Sequence, residues 1–398
     1  MSRVLFLELG TSLNRPDRIL VRWLMPQREQ YIDRLRCVMT ALVILHHTAI
    51  TYGAAGGWFY NELKPSGAVS SSLLTLFCAT NQAYFMGFFF LLAGYFTPGS
   101  LERKGYGRFV CDRFLRLGLP LLMFIVVLGP LTAAIVTAAQ GDGFWGTFVW
   151  LWHHGRIING PMWFAQALLM FTLAYCGWRA VAGSALTGAE RRPSTVPANG
   201  RWILSAVAVG AAALAIRQVV RVGENVIGLQ LGYFASYVFL FAVGIAAWRH
   251  DWLSQLSWKH ARWWVYGLAL SWPVMPAALL LARSGDGGAK LSFAGGLSWT
   301  AIFYAFWEPF VAWGLIAAWL LLFRATMNRP SAFWEWLGRR AYAVYIIHPP
   351  VLVGVALLLH GWVAPALVKF AVVGALSCAA TWLLADPLVR MPGVRRVV

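Results

Sequence analysis

The sequence predicts an all-α polytopic membrane protein, with about ten transmembrane helices around a polar midplane cavity. Hydrophobic residues make up 59% of the 398 positions and charged residues only 12%, whereas a soluble domain carries about 25% charged residues. The mean hydropathy is +0.62, and the apolar residues form long blocks. These observations exclude two or three soluble domains, the usual expectation at this length.

Ten blocks are long and apolar enough to cross a bilayer, because a helical span needs about 20 mostly apolar residues. They cover residues 35–53, 72–96, 114–139, 161–183, 202–219, 229–248, 262–282, 297–323, 341–359 and 363–385. The blocks divide the chain into a basic segment (1–30), a membrane domain (31–390) and a short tail (391–398). We expect the basic segment and the tail to be cytoplasmic.

The net charge of +18 is typical of a membrane protein with basic cytoplasmic loops, because Lys and Arg concentrate on that side. With a cytoplasmic N-terminus, 26 of the 33 Lys and Arg residues fall on the cytoplasmic side. We therefore expect both termini inside and the lipid bilayer, not nucleic acid, as the partner of this charge. The five cysteines are scattered without a CxxC pair, so we expect no metal site.

Three ionisable side chains fall near the middle of the predicted spans, where such groups are costly and usually functional. The first span carries His46 and His47. Arg36 and His47 are eleven residues apart in the sequence, which places both on one helix face about 16 Å from each other. Glu308 lies near the centre of the eighth span. A histidine that packs against another helix, and a structural ion pair for Glu308, are the alternative interpretations.

The ninth span contains the sequence AYAVYIIHPP, in which His348 precedes two prolines. Pro349 and Pro350 have no N–H, so the carbonyls of Tyr345 and Ile346 lose their helical partners. Opened backbone at membrane depth is tolerated mainly where it meets protein or a wet cavity. A simple proline kink is the alternative. Because the eighth and ninth spans are consecutive, we expect Glu308 and His348 to face one cavity in separate roles.

Two further groups lie at the span edges. Arg113 and Arg116 lie one turn apart at the cytoplasmic end of the third span and suit an anionic ligand or lipid head groups. On the opposite side, the Trp-rich segment 144–163 carries a cluster of polar side chains, namely His153, His154, Arg156 and Asn159. An aromatic belt is the usual role of such a segment, and a surface on which sugars stack is the alternative.

Taken in order, these residues resemble the acyltransferase family three of integral membrane proteins. The opening REQYIDRLRCVMTALVILHH resembles the family's first span, with Arg36, ten intervening residues and His47. The segments FFFLLAGYFTPG, DRFLRLGLP, PMWFAQALL and AYAVYIIHPPVLV resemble its later motifs. Ala93 stands where many members have Ser. Within the family, the resemblance is greatest to the branch of glucan biosynthesis protein C, whose members succinylate periplasmic glucans.

The resemblance implies an O-acyltransferase of the bacterial inner membrane that moves an acyl group from cytosolic acyl-CoA to a sugar hydroxyl of a periplasmic glucan or other glycan. The donor would be succinyl-CoA or acetyl-CoA, with no metal. Catalysis would use His47, Glu308, His348 and Tyr345; the CoA phosphates would bind Arg36, Arg113 and Arg116; and the glycan would contact Trp163, His153, His154 and Arg156.

Two other points stay open at this stage. A proton-coupled secondary transporter of a small anion or saccharide would also carry midplane His and Glu residues and proline-broken helices. It would usually show two matching halves, which the sequence does not contain. The sequence also leaves the oligomeric state open, a homodimer included.

Overall fold

The computed structural model describes residues 30–182, 192–284 and 292–397, which are mostly helical and contain no β-strand apart from two isolated bridges. The helices are α1 (Gln30–Thr51), α2 (Val69–Lys104), α3 (Tyr106–Ala139), α4 (Phe144–His153), α5 (Trp163–Val181), α6 (Asn199–Ile216), α7 (Phe234–His250), α8 (Trp258–Ser271), α9 (Val274–Ser284), α10 (Trp299–Thr326), α11 (Ala332–Leu358) and α12 (Ala366–Arg390).

The structure confirms the all-α membrane fold. Within the described residues, eight helical passages are long and apolar enough to cross a membrane. The remaining two predicted blocks form α1 and α5, with 22 and 19 residues. The first turns of α1 carry Asp33, Arg34 and Arg36, which lowers its mean hydropathy. The Trp-rich segment after α3 contains the short helix α4.

Successive long helices run in opposite directions, so the loops collect at two ends of the bundle. We call one the cavity end; it holds the loops 52–68, 217–230, 292–298 and 359–365. We call the other the arginine end; it holds the start of α1 with Arg36, the α2–α3 junction, and the loops 251–257 and 327–331. Ligands that approach from opposite sides of a membrane would meet different ends.

The core of the bundle depends on a close crossing of α2 and α7. Gly94 of α2 lies against the Phe241 carbonyl, and Gly244 of α7 lies against the Leu91 carbonyl, so a Cβ at either glycine would collide with backbone. Small residues let membrane helices approach closely. This crossing holds α7, with Tyr237, beside the part of α2 that carries Gln82.

The helices α10 and α11 are consecutive in the chain but do not pack along each other. The neighbours of α11 are α12, α1 and α3, whereas those of α10 are α8, α6, α2 and, to a smaller extent, α1. Glu308 and His348, which we expected to face one cavity in separate roles, therefore lie on helices with largely different neighbours. Hydrophobic periodicity predicts that a helix exists, but side-chain packing from distant helices decides which neighbour it takes.

The helix α3 is not a regular α-helix along its whole length. Two π-helical stretches, Phe114–Gly118 and Phe124–Leu128, interrupt it. π-bulges often occur at functional sites. The first contains Arg116, whose backbone carbonyl accepts a hydrogen bond from the Tyr342 hydroxyl of α11. The bulge thus places the second of the two paired arginines against α11.

Candidate active site

A cavity of about 570 Å³ enters the bundle from the cavity end. Its mouth is formed by three loops, which contribute residues 55–57, 222–223 and 292–294. Its wall carries His46 and His47 of α1 together with aromatic and amide side chains from other helices, namely Gln82, Phe85, Trp163, Gln230, Tyr233, Tyr237, Tyr304 and Tyr345. No Lys, Arg, Asp or Glu of the described residues contributes to this lining.

The two histidines of α1 differ in their surroundings. His46 is buried and its ring stacks on Phe85, with 5.2 Å between ring centroids. The His47 ring lies nearly parallel to the Trp58 indole at 3.7 Å and to the His348 ring at 5.6 Å. The Nδ1 atom of His47 is buried without a hydrogen-bond partner, so Nε2 is the His47 nitrogen available to the cavity.

His348 of α11 lies beside His47 but does not line the cavity. Its side chain is fully buried, and Nδ1 lies 2.7 Å from the Tyr345 carbonyl oxygen. The Nε2 atom is buried and unpartnered. Tyr345 does line the cavity, and its hydroxyl donates to the Pro161 carbonyl. The structure therefore brings His47, His348 and Tyr345 together, as the sequence motifs suggested.

Trp58 completes this ring cluster and was not identified from the sequence. It lies in the loop after α1, a position that sequence analysis treats as an ordinary extramembrane turn. An ion pair between Glu62 of this loop and Lys369 of α12 fixes the loop at the bundle. The Tyr60 hydroxyl is hydrogen-bonded to His360 Nδ1 at 2.8 Å, and burial and the Glu62 carboxylate raise the pKa of Tyr60. These contacts hold the indole against His47.

Glu308 pairs with Arg217, at the C-terminal end of α6, and both side chains are almost completely buried. Arg217 also donates from Nε to the Gly232 carbonyl at 3.0 Å. Its guanidinium group lies over the rings of Tyr233 and Tyr304 at 5.4 and 5.1 Å. Both tyrosines line the cavity. Glu308 thus lies behind the cavity wall, and Arg217 supplies the partner that the sequence required of it.

At the arginine end, basic side chains share one carboxylate. Arg116 donates from Nε to Asp112 at 3.2 Å, Lys104 contacts the same carboxylate at 2.7 Å, and Arg113 lies 3.9 Å from it. The Arg113 side chain is 20% exposed and lies over the Phe109 ring, 4.9 Å from its centroid. Asp112 lies inside the quoted DRFLR motif but was not selected. Three cations on one carboxylate leave this cluster positive.

Arg36 and the Trp-rich segment lie apart from the histidines. Arg36 is half exposed at the start of α1 and contacts Asp33 at 3.6 Å. His153, His154 and Arg156 are exposed at the cavity end and do not line the cavity. Trp163 does line it, with its ring stacked on Tyr237 at 5.5 Å. Of the four residues expected to contact the glycan, only Trp163 meets the histidine cavity.

Comparison with known families identifies the chain over almost its whole length. The model of acyltransferase family 3, described as "Acyltransferase domain", matches residues 29–386. No curated protein and no solved structure matches the chain. The match covers every helix described above up to α12 and includes the histidine cavity and the arginine cluster. The chain belongs to acyltransferase family 3 and is a membrane O-acyltransferase.

Proposed function

We propose that this enzyme transfers a short acyl group from acyl-CoA, bound at the arginine end, to a sugar hydroxyl of a glycan bound in the cavity. The observation that carries the proposal is the position of His47. Its Nε2 atom is available to a cavity that opens at one end of the bundle, while α1 begins at the opposite end with Arg36. One helix therefore connects the two sides on which donor and acceptor would bind.

The chemistry requires a base at the acceptor hydroxyl. In our proposal, His47 Nε2 takes the hydroxyl proton while the hydroxyl oxygen attacks the thioester carbonyl. The C–O bond forms, the C–S bond breaks, and the leaving thiolate of CoA takes the proton from His47. The Nδ1 atom is buried and without a partner, which leaves Nε2 for the reacting hydroxyl. His46, which stacks on Phe85, has no part in these steps.

The cavity lining supports an uncharged sugar as the acceptor. Aromatic rings offer apolar faces with polar rims, and amide and hydroxyl groups can bond sugar hydroxyls. Gln82 donates to the Tyr237 hydroxyl at 2.8 Å, beside the stacked Trp163 ring. A carboxylate or phosphate on the acceptor would find no cation among the described lining residues. A neutral glucan fits this chemistry.

The same lining bears on the acyl group. A succinyl group would bring a carboxylate to the reaction centre, and an unpaired carboxylate in a buried site is costly. The rings around His47 carry no positive group in the described part of the chain. These points favour acetyl over succinyl as the transferred group, against the preference that resemblance to the glucan biosynthesis protein C branch would give.

The arginine cluster supports binding of the CoA phosphates. Charge-assisted hydrogen bonds from arginine are the strong ones, and Arg113, Arg116 and Lys104 share the Asp112 carboxylate. We propose that this end faces the cytoplasm of a bacterium, with the inner membrane as the location, because acyl-CoA is cytosolic. Both termini then lie inside and the cavity opens toward the periplasm.

The test is acyl transfer by purified protein with acetyl-CoA and succinyl-CoA, in the presence and absence of neutral glucan fractions. Free thiol and acylated glycan are both measured. His47→Ala should reduce glycan acylation by about 100- to 10,000-fold, the usual contribution of a general base. The matched variant His46→Ala changes the neighbouring ring and should retain most of the activity.

Three outcomes would contradict parts of the proposal. Activity that survives in His47→Ala and disappears in His46→Ala would show that His46, not His47, is the base. Faster turnover of succinyl-CoA than of acetyl-CoA would overturn the argument from the uncharged lining. Proton-coupled uptake of a small anion or saccharide, with no thiol release from any acyl-CoA, would favour a transporter.

A further inference from the structure

The structure contains a local device that sets the proton position on His348. In a regular helix, the carbonyl of residue 345 accepts a hydrogen bond from the N–H of residue 349. Residue 349 is Pro349, which has no N–H. The Tyr345 carbonyl instead lies 2.7 Å from His348 Nδ1. Because a carbonyl oxygen can only accept, Nδ1 must be the protonated nitrogen.

This contact fixes the tautomer of the neutral ring. When Nδ1 carries the proton, Nε2 has a lone pair and acts only as an acceptor. The hydrogen bond made by one ring nitrogen generally decides the state of the other. Here Nε2 of His348 is buried and has no partner, and the nearly parallel His47 ring lies 5.6 Å away between centroids. The Nδ1 atom of that ring is likewise buried and unpartnered.

We propose that Pro349 and the Tyr345 carbonyl hold His348 as a fixed hydrogen-bond acceptor for His47 Nδ1–H, a contact that closes only in the acyl-transfer complex, because neither nitrogen has a partner in this structure. A donor–acceptor contact between these two nitrogens would keep the proton of neutral His47 on Nδ1. The cavity-facing Nε2 of His47 is then the basic nitrogen. His348 is in this view a positioning residue, since it does not line the cavity. The role given to His47 rests on the proposed function; the tautomer of His348 does not.

Nitrogen-15 NMR of histidine-labelled protein in detergent micelles tests the tautomer directly. The His348 signals are identified by their loss in His348→Asn. At a pH where the ring is neutral, we expect the Nδ1–H form in the wild-type protein. Observation of the Nε2–H form would overturn the proposal without any activity measurement, and this part of the test needs no variant that alters Pro349.

The two adjacent prolines provide a matched pair of variants. Pro349→Ala restores an N–H that competes for the Tyr345 carbonyl, so the Nε2–H population of His348 should rise. The value of kcat should fall about 2- to 10-fold, the range expected for one weakened hydrogen bond, with KM for the glycan unchanged. Pro350→Ala restores an N–H opposite the Ile346 carbonyl, whereas His348 contacts the Tyr345 carbonyl, so this variant should leave both the spectrum and kcat at wild-type values.

The outcomes separate this inference from the proposed function. If His348 has the Nδ1–H tautomer but the protein acylates no glycan, the inference about the tautomer stands and the proposed function is rejected. Normal acyl transfer with equal effects of Pro349→Ala and Pro350→Ala would retain the function and reject the device. A loss of folding in Pro349→Ala would be recognised by altered elution of the detergent-solubilised protein in size-exclusion chromatography. The tautomer of His348 in the wild-type spectrum would then decide the question.

Discussion

The cavity end and the arginine end of the bundle handle charge in opposite ways. At the cavity end, two buried ion pairs, Arg217–Glu308 and Glu62–Lys369, lie behind or beside the cavity. At the arginine end, several cations share Asp112, and part of their surface stays exposed. One end thus offers an uncharged chamber and the other an excess of positive charge, which suits a neutral acceptor and an anionic donor.

The sharpest test of this comparison determines on which side of the membrane each end of the bundle lies. Single cysteines introduced at Ser66 and at Gly287, which lies outside the described residues, should react with an impermeant thiol reagent in intact cells. A cysteine at Thr195 should react only after permeabilisation. The expected effect is all or none, measured in a background in which the five native cysteines are replaced. Labelling of position 195 in intact cells would reverse the assignment of donor and acceptor sides.

The second test removes the buried pair behind the cavity wall. Arg217→Met or Glu308→Gln alone leaves an uncompensated buried group, which costs about 3–5 kcal/mol. Equilibrium unfolding in mixed detergent micelles measures the loss. The double variant should be more stable than the sum of the single losses predicts. If the losses simply add, the two side chains do not stabilise each other and the pair has no structural role.

Glu308→Gln also separates a role of this carboxylate in transfer to the glycan from a purely structural role. It should reduce transfer to glycan while acyl-CoA binding is retained, because Tyr304 and Tyr233 of the cavity wall pack on the paired arginine. Glycan acylation at the wild-type rate in a folded variant would make the carboxylate purely structural.

A third test addresses the arginine end alone. Arg116→Ala should weaken acyl-CoA binding about 10- to 150-fold, because a hydrogen bond to a charged group contributes about 1.5–3 kcal/mol. Glycan affinity should not change. Titration of acyl-CoA and of glycan into the same preparation measures both. Arg339, which pairs with Glu335 on an exposed helix face, offers the matched control Arg339→Ala, and equal losses in the two variants would count against a donor site.

The smallest effect is expected at the aromatic wall of the cavity. Trp163→Ala removes a ring stacked on Tyr237 and should raise KM for the glycan about 2- to 10-fold, in line with about 0.5–1.5 kcal/mol for an aromatic contact. Trp178, 53% exposed on the same helix, provides the control Trp178→Ala. If both substitutions change KM equally, the aromatic wall does not bind the acceptor.

The sequence predicts where the helices of this protein lie better than it predicts which helices pack against each other. Long apolar blocks define α-helices locally, because backbone groups in a membrane must be satisfied within the segment. The partners of α10 and α11 depend on side chains far away in the chain, so adjacency in sequence does not decide which helices pack against each other. The buried carboxylate of Glu308 was the more dependable indication of a contact, because a buried charge needs a partner wherever it lies, and Arg217 provides it.

The ring cluster could be predicted only in part for the same reason. His47, His348 and Tyr345 stand in spans where polar groups attract attention, and they lie together in the structure. Trp58 lies in a loop, among many other tryptophans, and nothing local distinguishes it. Arg217 falls at a span end and resembles an ordinary boundary arginine until its burial is known. The catalytic and binding roles of these residues stay predictions.

The two π-helical stretches of α3 have a consequence for how the chain tolerates changes in length. A π turn accommodates one residue more than an α turn, so deletion of one residue between Phe114 and Gly118 can return the segment to α geometry. The helix faces before and after it would keep their directions. A deletion at the same depth in α1 would instead rotate everything beyond it by about 100° and turn His47 away from the chamber. Among related chains, single-residue gaps should therefore collect in α3 and be absent from α1.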